Sequence, residues 1–278
     1  MAEMSGDEVG ALIVSGVIAL ATTWGWIYSV MLPLRFGGGP ARFPVLFAPV
    51  LGYLAILVVL LTLASADVRN DPLYLGFYLL MGIAWIGLGL AFLPLCGLSA
   101  RDDVGERRNP AATPVMIGAA LGLSACYAGA NIGDGPGWWC VVWAGGLGTA
   151  LWFTALVVVA GRGHLTETVT VERDPAAGLR LGVFLFAAGI LCGRGAAGDW
   201  TNALKTVIEF KAAWPLLPLV MVALMSEKLL RPTPERPLSS WSASLVVVVL
   251  ELLVVLVGLA LTGPLPDGYR FHDQGVER

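Results

Sequence analysis

Residues 241–262, WSASLVVVVLELLVVLVGLALT, decide the fold class. They contain one charged residue, Glu251, near their centre, and most of the others are Val or Leu. About 20 apolar residues, at a rise of about 1.5 Å each, cross the roughly 30 Å hydrocarbon core of a bilayer. The segment therefore predicts a membrane-spanning helix with a carboxyl group close to its midpoint.

The rest of the chain has a similar composition. It is 57% hydrophobic and 13% charged, with a mean hydropathy of +0.78, whereas soluble domains carry about 25% charged residues. We expect an all-α, polytopic transmembrane helix bundle that forms a single integral membrane domain over residues 1–278 and has the lipid bilayer as its surroundings. Eight spans are predicted, at residues 9–34, 44–64, 73–95, 113–130, 138–160, 179–198, 212–230 and 241–262.

The distribution of Lys and Arg predicts the orientation, because cytoplasmic loops carry the excess of positive charge. Loops 35–43, 99–112, 161–180 and 227–240 hold the larger share of these residues. We therefore expect a multi-pass protein of the plasma (inner) membrane with both termini on the outer side. The net charge of −3 is too small to indicate a nucleic-acid partner.

Glu251 is the main candidate for function, because a carboxylate at the bilayer midplane costs roughly 2.5–3.5 kcal/mol. Helical spacing places it on a stripe of small and hydroxylated residues, Ser244, Val247, Val248, Glu251, Val254, Val255, Gly258 and Thr262. The opposite stripe is bulky and consists of Leu245, Val249, Leu252, Leu256 and Leu259. We expect Glu251 to face the bundle rather than lipid.

No Lys, Arg or His lies at comparable depth in the other predicted spans, so we expect no midplane salt bridge to Glu251. A carboxyl group buried without a cation favours its protonated form. Glu251 is therefore a candidate carrier of a proton or a cation. The alternative is a protonated glutamate that joins two helices through a hydrogen bond.

Two outer segments contain further polar candidates. The turn Asn131-Ile-Gly-Asp134-Gly-Pro-Gly137 joins the fourth and fifth spans, and residues 199–214, DWTNALKTVIEFKAAW, predict a short interfacial helix before the seventh span. Asp199 is its expected cap, and Trp200, Leu204, Val207 and Ile208 are its expected apolar face. In one interpretation Asn131, Asp134, Asp199, Lys205 and Glu209 form an outer vestibule that leads to Glu251. In the other, Asp134 closes a turn and residues 199–214 form a solvated lid.

Three local patterns predict how the spans are built. Gly118 and Gly122 form a GxxxG pair, which indicates close packing within a tight centre of the fourth to sixth spans. Pro215 and Pro218 predict a bent start of the seventh span or, alternatively, a broken helix. The loop LTETVTVERD, residues 165–174, alternates polar and apolar residues and resembles a short β-run.

The sequence lacks the usual signs of catalysis and cofactor binding. His164 lies in a loop and His272 in the C-terminal tail, so no intramembrane histidine is available to ligate haem, a pigment or a metal. Serine-nucleophile, HExxH and P-loop motifs are missing. Asp102, Asp103 and Glu106 have a spacing that suits Mg²⁺ and diphosphate, but three interleaved arginines favour a self-paired loop. We expect no cofactor, no metal and no enzymatic activity.

The leading hypothesis is a membrane protein that moves protons or a small cation-coupled solute, with Glu251 as the carrier. The alternative is a non-catalytic integral membrane subunit that scaffolds a larger membrane complex. In that case its glycine-rich helices and short charged loops would contact partner proteins or further copies of the chain.

Overall fold

The structure is a computed structural model that describes residues 4–31, 42–135, 137–200, 202–231, 233, 235 and 239–266. Residues 32–34 of the first predicted span, most of loop 35–43 and His272 lie outside the described residues. The described chain is all-helical, with 82% of it in helices and no strand. The helices are α1 (Gly6–Met31), α2 (Arg42–Thr62), α3 (Ala66–Asn70), α4 (Pro72–Phe92), α5 (Ala112–Gly129), α6 (Trp138–Arg162), α7 (Leu165–Thr170), α8 (Pro175–Ala196), α9 (Ala203–Glu209), α10 (Leu216–Leu230) and α11 (Trp241–Leu261).

Seven of the described helices are long and apolar enough to cross a membrane, namely α1, α2, α4, α5, α6, α8 and α11. Each coincides within a few residues with a predicted span. The seventh predicted span is built differently, because α10 begins only after Pro215 and meets the preceding helical segment, residues 203–213, at an angle of 43°. Proline lacks the N–H that would continue the helix across this point. The expected bend is confirmed, and α10 with its neighbour counts as an eighth span only if the bent pair crosses as one unit.

Helices α5 and α8 form the centre of the bundle. In the 18-residue apolar stretch of each helix, 72% and 78% of the residues, respectively, are buried. They touch along glycines, since a Cβ atom added to Gly118 would overlap the backbone of Gly182. Gly189 meets Gly122 in the same way. Small residues allow helix backbones to approach closely where side chains would separate them. The GxxxG pair is thus used inside this chain, between the fourth and sixth predicted spans.

Residues 165–174 do not form a β-run, and that expectation is wrong. They begin with α7, in which Leu165, Thr168 and Val169 are each about 1% exposed or less. These positions are three and four residues apart, which is the spacing of one helical face. The side-chain amide of Asn109 also donates to the Val169 carbonyl at 2.6 Å, which fixes α7 against the loop that precedes α5.

The helix connections gather at two opposite ends of the bundle. At the first, which we call the Glu8 end, Glu8, Asp67, Gly133 and Trp200 line one cavity. At the second, the Arg180 end, the N–H of Ser239 donates to Asp174 Oδ2 at 2.8 Å. This grouping of loops is the one that alternating spans predict. Which end faces the cytoplasm stays a prediction.

Candidate functional site

Glu251 faces the interior of the helix bundle. The buried residues of α11 are Ser244, Val247, Glu251, Val255 and Gly258. Leu245, Val249 and Leu256, on the opposite stripe, are more than half exposed. The predicted face of the helix is confirmed, and Glu251 itself is 1% exposed.

The position of Glu251 follows from the contacts above and below it on α11. Arg180 of α8 donates to Ser244 Oγ at 2.6 Å, and Gly258 packs against Pro215 and Leu191. Helices α8 and α11 therefore run in the same direction. Seven residues of helix place Glu251 about 10 Å from Ser244 along the axis. Its Oε2 atom is buried and has no hydrogen-bond partner among the described residues.

A buried ion pair lies between this carboxyl group and the Arg180 end of the bundle. Arg180 Nε donates to Glu227 Oε1 at 2.6 Å, and Arg180 Nη2 donates to Glu227 Oε2 at 2.9 Å. The two side chains are 1% and 3% exposed. The pair is close enough for its charges to act on Glu251. This two-point geometry is the strongest form of a carboxylate–guanidinium contact.

The cation of this pair lies near the start of α8 and not at the depth of Glu251, and its ionic partner is Glu227. The sequence predicts Arg180 at the junction of loop 161–180 and span 179–198, whereas α8 begins at Pro175 and places Arg180 in its second turn. The signal was present in the sequence as Asp174-Pro175, because aspartate is a preferred N-cap and proline a preferred first helical residue. Glu227 lies inside the predicted span 212–230, and α10 ends at the same residue, Leu230.

Serine and aspartate side chains complete the network around Arg180. Its Nη1 and Nη2 atoms reach the hydroxyls of Ser244 and Ser239, at 2.6 Å and 3.4 Å. Asp174 accepts hydrogen bonds from the N–H groups of Ala176 and Ser239. Burial raises the pKa of Asp174, but the hydrogen bonds donated to it, chiefly by Ser239, outweigh burial and hold the pKa below the ordinary value. Asp174 therefore stays ionised at the Arg180 end.

Of the five residues predicted to form the outer vestibule, only Asn131 lines the cavity at the Glu8 end. Asn131 is 4% exposed, and its amide donates to the Tyr127 carbonyl at 2.8 Å. The turn that contains Asn131 and Asp134 is tied to the loop after α8 by a hydrogen bond from the Gly198 N–H to the Ile132 carbonyl at 3.1 Å. Glu209 pairs with Lys205 at 3.6 Å and also lies against Gly198.

Two expectations about residues 199–214 need correction. The cap of α9 is Asn202, whose side chain accepts from the Lys205 N–H at 2.9 Å, and not Asp199. Asn202 has an extended backbone, as an N-cap residue does, and α9 therefore begins after it, at Ala203. Trp200 does not share the apolar face of α9: it is 4% exposed, whereas Leu204 is 71% exposed.

The cavity at the Glu8 end does not include Glu251 in its lining. Helix α11 packs mainly on α8 and α10, whereas the cavity is walled by α1, α3, α4 and the start of α6. This cavity therefore does not connect the predicted outer vestibule to Glu251, and the vestibule stays a prediction.

The acidic loop at the Arg180 end is paired with its own arginines. Asp103 accepts from the Ser99 N–H at 2.9 Å and from Arg107 at 3.2 Å. Glu106 pairs with Arg101 at 3.2 Å. Within the described ranges, no group of three or more His, Cys, Asp or Glu side chains is arranged to hold a metal ion.

The fold and the buried charges define an all-helical chain whose apolar helices are compatible with a multi-pass membrane protein. No family model, no curated protein and no solved structure matches the chain significantly.

Proposed function

We propose that this protein moves protons, or a small solute coupled to a cation, across a membrane and that Glu251 takes up and releases the proton or cation. The observation that carries the proposal is the position of the Glu251 carboxyl group. It is 1% exposed inside the bundle, and its Oε2 atom has no partner among the described residues. Ionisable groups within membrane spans most often belong to ion pathways and proton relays.

The balance of charge around Glu251 supports this role. Arg180 contacts both carboxylate oxygens of Glu227, so the one guanidinium already has its counter-charge. An ionised Glu251 adds a negative charge that no other described side chain near it neutralises, whereas a protonated Glu251 adds none. An uncompensated charge in a low-dielectric interior is costly, so Glu251 in its ionised state attracts a proton or a cation. Uptake and release of that charge is the elementary step of transport.

The same observation counts against a purely adhesive role. A protonated glutamate that joins two helices needs an acceptor or a donor on the neighbouring helix. The Oε2 atom of Glu251 has neither among the described residues. Its position against α8 and α10 is set by Ser244 and Gly258 at the two ends of the stripe.

The decisive experiment compares the native chain with Glu251→Gln in proteoliposomes. An interior pH dye records proton flux driven by an imposed membrane potential. Glutamine has nearly the same shape but cannot carry a proton, so we expect flux to fall to the level of empty liposomes. Glu172→Gln, which makes the same chemical change at an exposed position, should leave flux unaltered.

Retention of the fold is measured on the same samples by thermal unfolding in detergent. Because the Glu251 carboxyl group lacks a partner for Oε2, Glu251→Gln should unfold no earlier than the native protein. Native flux in a well-folded Glu251→Gln protein would contradict the carrier role.

The alternative of a scaffold subunit has lost part of its support. Its proposed contact surfaces included the glycine-rich helices, but Gly118, Gly122, Gly182 and Gly189 face one another inside the chain. The short charged loops remain as contact candidates. A complex of fixed composition that survives purification in mild detergent would favour this alternative, and a solitary chain or homo-oligomer with proton flux would count against it.

A further inference from the structure

The cavity at the Glu8 end is a polar, partly open space bordered by several helices. Its volume is about 180 Å³, and it lies among the first turn of α1, helix α3, the start of α4 and residues 131–135 and 137–141. Two carboxylates, three aromatic rings and one amide contribute to its wall, namely Glu8, Asp67, Tyr74, Tyr78, Trp200 and Asn131. None of the described residues that line it is Lys, Arg or His.

Glu8 is held at the cavity wall by several donors. The Tyr74 hydroxyl donates to the Glu8 carboxylate, with distances of 3.2 Å and 3.1 Å to its two oxygens. The backbone N–H and hydroxyl of Ser5 donate to Glu8 Oε2 at 2.8 Å and 2.9 Å. Tyr74 and Tyr78 are four residues apart on α4, so both rings face the cavity from the same side of the helix.

Tyr78 provides an independent sign of a ligand. Its side chain is 7% exposed, and its hydroxyl has no hydrogen-bond partner among the described residues. The backbone carbonyl of Tyr78 is used, because it accepts from the Tyr127 hydroxyl at 2.6 Å. The Tyr78 hydroxyl is near enough to Asp67 and Glu8 for their charges to act on it. Tyr78 lines the cavity and no described side chain completes its hydroxyl, so a group bound in the cavity can supply the missing hydrogen-bond partner.

We propose that this cavity binds a small organic ammonium ion. The N–H groups of such an ion can donate to the carboxylates of Asp67 and Glu8 and to the Tyr78 hydroxyl oxygen. Its positive charge and its carbon atoms can lie against the faces of Tyr74, Tyr78 and Trp200, because aromatic faces attract cations. Since a water molecule takes about 30 Å³ of liquid volume, the cavity has room for on the order of six small groups.

A hard metal ion fits this lining less well. Calcium takes six to eight oxygen ligands and magnesium demands octahedral geometry, at roughly 2.0–2.6 Å. No cluster of three or more acidic, histidine or cysteine ligands exists within the described ranges. Aromatic rings offer such ions no ligands, whereas they suit an alkylammonium ion. This site is separate from Glu251 and goes beyond the carrier role proposed for that residue.

The test is isothermal titration of the purified full chain in detergent with n-butylammonium chloride, alongside Na⁺, K⁺ and Ca²⁺. We expect saturable binding of n-butylammonium that Asp67→Asn weakens by about tenfold or more and Tyr78→Phe by roughly threefold to tenfold, given the usual strength of charged and neutral hydrogen bonds. Glu106→Gln, at the opposite end, should bind as the native chain does, and so should Glu251→Gln.

Thermal unfolding separates loss of binding from loss of fold. Tyr78→Phe removes only the unpartnered hydroxyl, so without ligand it should unfold no earlier than the native chain and should lose most of the stabilisation by n-butylammonium. Absence of n-butylammonium binding to the native chain would overturn the proposal. The proposal would also be overturned if Asp67→Asn and Tyr78→Phe bound n-butylammonium as tightly as the native chain does. Binding of Na⁺, K⁺ or Ca²⁺ without binding of n-butylammonium would overturn it as well. Because Glu251→Gln retains the site, a failed flux experiment and a failed binding experiment are distinguishable.

Discussion

Arg180 is the residue on which the packing of the last helices depends. It makes hydrogen bonds to Glu227 of α10, to Ser244 of α11 and to Ser239 between them, and its side chain is 1% exposed. A buried pair need not stabilise the fold in comparison with apolar residues of the same shape. Removing one member is different, because the other charge is then left buried without compensation.

We therefore expect Arg180→Gln to lower the free energy of unfolding by about 3–5 kcal/mol. The measurement is denaturant or thermal unfolding in detergent. Arg101→Gln is the matched control, since Arg101 pairs with Glu106 at side-chain exposures of 51% and 43%, and its loss should cost about 1 kcal/mol or less. The double variant Arg180→Met with Glu227→Leu should recover part of the stability. Equal stability of Arg180→Gln and Arg101→Gln would show that the buried pair is not a structural constraint.

At the scale of elements, the α5–α8 contact is set by the absence of side chains. Gly189 lies against the backbone of Gly122, and Gly118 lies against that of Gly182. A side chain at any of these positions would separate the two central helices. Elsewhere a glycine in a helix is merely less favourable than alanine, by roughly 0.5–1 kcal/mol.

This difference predicts opposite outcomes for one type of substitution. Gly189→Ala should reduce stability, because its new methyl group overlaps the backbone of Gly122. Gly146→Ala, in α6, meets no atom within 4 Å and should leave stability equal or raise it by up to about 1 kcal/mol. Unfolding temperatures of both variants in the same detergent provide the comparison. A Gly189→Ala protein as stable as Gly146→Ala would exclude the close contact.

At the scale of the whole molecule, the sequence predicts the positions of the helices well and their polar contacts poorly. Long apolar segments locate the helices because length and composition alone decide whether a segment can cross a bilayer. The inward face of Glu251 is also predictable, since helical spacing separates Ser244 and Gly258 from the bulky stripe. The Arg180–Glu227 pair is not, because it joins residues 47 positions apart and depends on how three helices pack.

The distribution of Lys and Arg predicts that the Arg180 end faces the cytoplasm and the Glu8 end the outside, which single cysteines can test. Cys96 is half-buried and the other three cysteines are buried, so a Cys96→Ala background should react little with a water-soluble maleimide. In that background Asn202→Cys should be labelled from outside intact cells, and Glu172→Cys only after the membrane is opened. Both positions are exposed. The reverse pattern would invert the proposed orientation.

The ion pair between Arg180 and Glu227 also bears on how the chain is made. Arg180 leaves the ribosome 47 residues before Glu227 and 64 residues before Ser244. If α8 is inserted as it is synthesised, its guanidinium enters the bilayer before its counter-charge exists, and an arginine at depth opposes insertion by up to about 3 kcal/mol. The apolar remainder of α8 must outweigh that cost, or the helix must wait at the translocon until α10 and α11 arrive. In the second case, insertion of α8 is coupled to the synthesis of α10 and α11.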